Sequence, residues 1–181
     1  MQAVHSPSPW YRHLRIALFG LLAADTCYYL YTGALAKTLD AAAWLLLLAL
    51  FALETGFAQR VRSVRVARVL STLRLTAAIG VCVAGVAYLI AHNTLDTINT
   101  LLWIAVVVML ECEVRWPRAV ARFRRMFVTS TAALYGGLAV LVLMWAWRGE
   151  WFDAYDALLW LIAFATIEMD VLAGAPPSAT A

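Results

Sequence analysis

The chain has 181 residues, 64% of them hydrophobic and 14% charged, with a formal net charge of +3 and a mean hydropathy of +0.79. A soluble domain runs at about 45–50% apolar and about 25% charged, so the composition excludes a soluble globular protein and points to an integral membrane protein. The continuous apolar blocks at 44–53 and 101–110 lack the alternation of a β-barrel strand, and backbone groups in lipid must be paired within their own segment, so the expected fold is all-α and polytopic.

Thirteen of the 14 basic residues are Arg. They gather at 12–15, 60–74 and 115–125, apart from Lys37 and Arg148, and these clusters alternate along the chain with the acidic Asp40, Asp96 and Asp153. This segregation is the positive-inside pattern and outweighs a nucleic-acid reading of the charge.

Residues 1–13 form a short tail, Ser-Pro-Ser-Pro followed by Trp10, Tyr11 and Arg12, suited to a membrane interface. The spacing predicts a first spanning helix over 14–33. A signal peptide is not expected here, because a cut after Ala24 would place Leu22 where a small residue is needed. Asp40 is expected to cap a second helix that runs to 58. Arg62, Arg65 and Arg68 then follow three apart, a spacing shared with voltage-sensing helices, but their place between two apolar runs favours an interfacial amphipathic linker against anionic lipids.

A third helix is expected over 73–91 and a fourth from Asp96 to 114, with Pro117 stopping or bending it. A second Arg-rich connection leads to a fifth helix over 127–147. The sixth runs from Asp153 to 173, and Gly174, Pro176 and Pro177 release the tail 174–181. A step of 57 residues relates Glu54, Glu111 and Glu168, and also Trp103 with Trp160 and Asp96 with Asp153, so the chain reads as three repeated helical hairpins over 14–58, 73–114 and 127–173. Tyr31, Tyr88 and Trp145 follow the same step. Six crossings put both termini on the Arg-rich, cytoplasmic side of the cell inner membrane.

Within this single transmembrane domain Asp25 stands out. It falls near the bilayer midplane with Tyr28 and Tyr29 one turn on, and a central Asp costs about 2.5–3.5 kcal/mol to insert, so it must find a partner or carry a proton. Glu54, Glu111 and Glu168 could form an acidic ring on a cation or proton route, or pair with Arg, as Glu111 can with Arg115 four residues on. Glu113 and Asp170 would make an incomplete outer shell, with Gly56 in the first copy.

Consecutive residues of Glu111-Cys112-Glu113 fan around a helix and cannot face one ion, so no metal site is expected. Cys27, Cys82 and Cys112 form no framework, and His5, His13 and His92 lie outside the apolar runs, so no haem and no other cofactor is implied. Catalytic motifs are missing, which argues against an enzyme.

Small residues four apart, Gly20 with Ala24, Gly80 with Ala84 and Ala133 with Gly137, are expected to bring the odd-numbered helices together or against a second protomer. Two functions fit: a transport or channel-like protein moving protons or a small cation past buried carboxylates, or a non-catalytic accessory subunit. The expected partners are anionic lipids at the Arg-rich face and either further copies of the chain or a larger membrane protein.

Overall fold

The computed structural model describes residues 9–56 and 64–174, which form seven helices: α1 Pro9–Tyr31, α2 Leu35–Gly56, α3 Val64–Ile90, α4 Thr94–Arg115, α5 Pro117–Arg122, α6 Arg124–Arg148 and α7 Trp151–Gly174. No strand occurs among the described residues. Among the described residues four helices, α2, α3, α4 and α6, are long and apolar enough to cross a membrane, the signature of a membrane protein. α1 is more polar, with Arg15, Asp25 and three tyrosines in its last two turns.

Three tight turns share one geometry. The amides of Ala34, Asn93 and Glu150 donate to the carbonyls of Tyr29, Tyr88 and Trp145 at 3.0, 2.9 and 2.9 Å. In each case the preceding residue has positive φ: Gly33 at 75°, His92 at 54° and Gly149 at 80°. This is the Schellman ending, in which a left-handed residue lets the chain satisfy the last carbonyls of one helix and reverse into the next. Glycine takes that conformation without steric cost; His92 does not.

The helices close into a ring in the order α1, α2, α3, α4, α6, α7 and back to α1, with α5 bridging α4 and α6 at the Arg-rich end. The core is drawn mainly from α2, α4 and α7: Trp44 and Leu48, Trp103 and Val106, Trp160 and Phe164 are all buried. α3 and α6 lie outside these three and expose Leu75, Ile79 and Val86, and Val140, Leu143 and Trp147, a surface suited to hydrocarbon rather than water.

The small residues pack differently from expectation. A Cβ on Gly80 would lie 3.2 Å from that of Ala43, and one on Gly137 would lie 3.2 Å from Leu102 Cδ1. These glycines therefore seat the outer helices α3 and α6 on α2 and α4, not on one another. Gly20 meets nothing within 4 Å, and Ala24 and Ala133 are exposed.

Several expected boundaries move. α1 begins at Pro9 and α3 at Val64, so Arg65 and Arg68 lie on a helix continuous with the apolar run, not in a separate linker. Pro117 opens α5, where its missing N–H costs nothing. Asp40 lies inside α2 and caps nothing. Asn93 is the N-cap of α4, accepting from the amide of Asp96, while Asp96 and Asp153 stand in the first turns of α4 and α7.

Candidate functional site: an acidic cup above an aromatic floor

At the end of the bundle that carries the three tight turns, a cavity of about 40 Å³ opens among the inner helices. Its polar wall is built from Lys37 and Asp40 on α2, Asp96 and Asn99 on α4, and Asp153 and Asp156 on α7, with Tyr29 and Tyr88 reaching in from α1 and α3. Helical spacing explains the assembly. Lys37, Asp96 and Asp153 each stand three residues before Asp40, Asn99 and Asp156, and these each stand four before Trp44, Trp103 and Trp160. Steps of three and four keep one helix face, so each inner helix presents an outer polar residue, an inner polar residue and a tryptophan in that order toward the core.

The outer level is paired. Lys37 Nζ lies 2.7 Å from Asp153 Oδ2 and 3.6 Å from Asp96 Oδ2, and 5.8 Å from the centre of the Tyr29 ring. The Tyr29 hydroxyl donates to Asp153 Oδ1 at 2.9 Å, and the Asn93 amide donates to Asp96.

The inner level is not satisfied. Asp40 Oδ2 accepts from the Tyr88 hydroxyl at 3.3 Å, but Asp40 Oδ1, Asn99 Oδ1 and Asp156 Oδ1 are buried without a hydrogen-bond partner. A buried acceptor left unpaired costs about 1–3 kcal/mol, so these three oxygens are a standing demand for a donor or a cation.

Beneath them the aromatic rings close the bundle. The Trp103 and Phe164 ring centres are 4.5 Å apart, Trp44 lies 6.3 Å from each, and Trp160 lies 6.4 Å from Phe164. The cup therefore has a polar rim, a polar wall and an apolar floor. A water needs on the order of 10–15 Å³ by this measure, so the space suits a few waters or one small cation and no organic substrate. Its lining holds no Ser, Cys or His to act as a nucleophile or to hold a transition metal. Four carboxyl groups face one ammonium, which makes the cup attractive to positive charge.

The residues singled out from sequence fall in different places. Tyr29 is in the cup wall. Tyr28 is exposed and its ring stacks on Phe152 with centres 4.1 Å apart. Asp25 is 5% exposed and its Oδ2 has no partner; it does not line the cup, but it lies within electrostatic reach of Asp156.

Glu111 is exposed and makes the local pair with Arg115 at 2.6 Å. Glu113 is exposed and borders a separate groove beside α5. The side chains of Glu54, Glu168 and Asp170 lie outside the described residues. Sequence patterning alone does not disclose the cup, because an Asp near a helix start, as at 40, 96 and 153, also reads as a cap, and Lys37, Asn99 and Asp156 are single polar residues beside apolar runs. The three-then-four spacing that ends on a Trp in α2, α4 and α7 was the available signal.

Compared with protein-family models, curated proteins and solved structures, the chain matches none.

Proposed function

We propose that the chain is a small transport or channel-like protein of the cell inner membrane that takes protons or a small cation into the acidic cup. The observation that carries this reading is the inner level of the cup, where three unpartnered oxygens from three helices border a cavity of about 40 Å³. Intramembrane carboxyl groups are costly, and where they persist they most often mark an ion or proton route. In this reading Asp40 and Asp156 receive the cation, Asp96, Asp153 and Lys37 guard the entrance, and Asp25 lies deeper along the α1–α7 seam as a second station. Glu111 is a surface residue outside the route.

The proposed topology is six crossings in three repeated hairpins, α1–α2, α3–α4 and α6–α7, with cytoplasmic termini and the cup facing out. It is supported by the three like turns, the repeated spacing of the cup residues and the Arg-rich opposite end.

Reconstituted into liposomes with a pH-sensitive or cation-sensitive dye, the protein should dissipate an imposed proton, sodium or potassium gradient. Asp156→Asn should lower that flux at least tenfold. Because Asp156 Oδ1 makes no hydrogen bond, the substitution removes charge with little structural cost. Glu111→Gln should leave the flux within twofold. Absence of flux for every ion tested would sink the transport reading.

A second reading, an accessory subunit of a larger membrane complex, is favoured by a different observation. Gly20 and Ala24 form an exposed small-residue face on α1 that none of the described residues covers, and such faces let a second helix approach closely. Recovery from native membranes in fixed ratio with a larger protein, released by Gly20→Leu, would favour it.

A further inference from the structure

A groove of about 580 Å³ runs between α4 and α6 at the Arg-rich end, closed off by α5. α4 and α6 approach tightly where Gly137 meets Leu102, but α5, a helix of six residues with no buried side chain, separates the end of one from the start of the other. The groove extends along α6 from Arg124 to Tyr135, about 16 Å at 1.5 Å per residue. Its apolar walls are Val106, Met109 and Leu110 from α4 and Phe127, Val128 and Leu134 from α6, with Thr131 and Tyr135 adding hydroxyl groups along α6. Charge occurs only at the α5 end, as Arg124 and Glu113.

We propose that this groove binds one anionic phospholipid drawn from the adjacent leaflet, with an acyl chain along the α4–α6 walls and the phosphate at Arg124. Charge complementarity selects the occupant. Arg115 is already paired with Glu111, whereas the exposed Arg118, Arg124 and Arg125 have no ion pair among the described residues. Arg122 lies 5.5 Å from the Phe123 ring centre.

This surplus exceeds the single Glu113 on the groove wall, and Arg binds phosphate through directed, charge-assisted hydrogen bonds. The order of polarity, mainly apolar along α4 and α6 and charged at the α5 end, is that of a membrane amphiphile; an inserted peptide would bring backbone polar groups against Val106 and Leu134 with nothing to pair them. Trp116 and Phe123, 60% and 50% exposed, flank α5 as headgroup-level aromatics do. Basic pockets between helices at the cytoplasmic face are an established type of anionic headgroup site.

The test uses the full chain purified in mild detergent, with short-chain phosphatidylglycerol, short-chain phosphatidylcholine and inorganic phosphate as probes, and native mass spectrometry to count what remains bound. One phosphatidylglycerol per chain should be retained in preference to phosphatidylcholine. Arg124→Gln, a change at an exposed site that leaves the core untouched, should weaken retention at least fivefold. Ala132→Trp, which fills the groove, should abolish it, while Arg148→Gln at the opposite end should leave it unchanged. Equal retention of the two lipids, undiminished binding in Arg124→Gln, or full displacement by millimolar inorganic phosphate would each overturn the proposal.

Discussion

Lys37 is the single cation among the residues of the cup, and its removal tests the site most directly. Its ammonium bridges Asp153 at 2.7 Å and Asp96 at 3.6 Å, with the side chains of the three residues 23%, 18% and 10% exposed. Breaking a fully buried ion pair costs about 3–5 kcal/mol, and an exposed one at most about 1 kcal/mol. With this intermediate exposure, Lys37→Met should destabilise the folded state by about 2–3 kcal/mol.

Part of that loss is the repulsion left between Asp96 and Asp153, so Asp153→Asn should recover it. Asparagine keeps an oxygen for the Tyr29 hydroxyl while removing the charge. The double-mutant cycle should return a coupling of about 1.5 kcal/mol or more. Reversible unfolding in mixed micelles, followed by the fluorescence of the tryptophans beneath the cup, provides the measurement. A loss under about 0.5 kcal/mol for Lys37→Met, or strict additivity in the double variant, would show that the ammonium is solvated and refute a paired outer level.

Trp103→Ala should cost about 3 kcal/mol in the same assay, because it removes the ring that fills the space between Trp44 and Phe164; a loss below about 1 kcal/mol would mean the floor is loosely packed. Gly80→Val should be strongly destabilising through its clash with Ala43, whereas Gly20→Val, with nothing within 4 Å, should leave the isolated chain's melting temperature unchanged; equal effects would contradict the packing of α3 on α2. His92→Gly should stabilise by up to about 1 kcal/mol, since a side chain at φ 54° is strained where glycine is not. Any loss of stability there would indicate that the imidazole makes a compensating contact.

The all-helical class was legible in composition, since apolar blocks of that length have only one way to satisfy their backbone in lipid. The step of 57 residues relates Tyr88, Asp96 and Trp103 to Trp145, Asp153 and Trp160, whereas Tyr29 and Trp44 stand two residues farther than that step from Tyr88 and Trp103. Tyr29, Tyr88 and Trp145 each precede Trp44, Trp103 and Trp160 by fifteen residues, and the matching turns at Gly33, His92 and Gly149 fix that alignment. The first copy is offset because the link from Trp44 to Tyr88 is two residues longer than the link from Trp103 to Trp145.

A uniform step therefore set Tyr31 against Tyr88 and Glu54 against Glu111. The turns set Tyr29 against Tyr88, and the same alignment brings Glu54 to Glu113. The cup is hidden for the same reason: a uniform step aligns Asp96 with Asp153 but leaves Lys37 off register, and an Asp near a helix start reads as a cap.

Under the proposed alignment, the departures from threefold likeness are concentrated in the cup, and they have a physical logic. The tryptophans of the floor recur in all three hairpins, and Leu22, Val81 and Leu138, all apolar and buried, stand at one equivalent place before Tyr29, Tyr88 and Trp145. Each polar level instead has one odd member, Lys37 among two Asp at the rim and Asn99 between two Asp within.

Three carboxylates at one level would repel by several kcal/mol per pair, about 4 kcal/mol for unit charges 4 Å apart at an effective dielectric constant of 20. Lys37 turns two of the three rim interactions into attractions, which allows the rim to stay charged while half-buried. Asn99 relieves the inner level without neutralising it, leaving Asp40 and Asp156 to face the cavity with no protein cation of their own. In the proposed transport reading a mobile proton or cation would occupy that level, and the ammonium of Lys37 at the rim would admit only a small species.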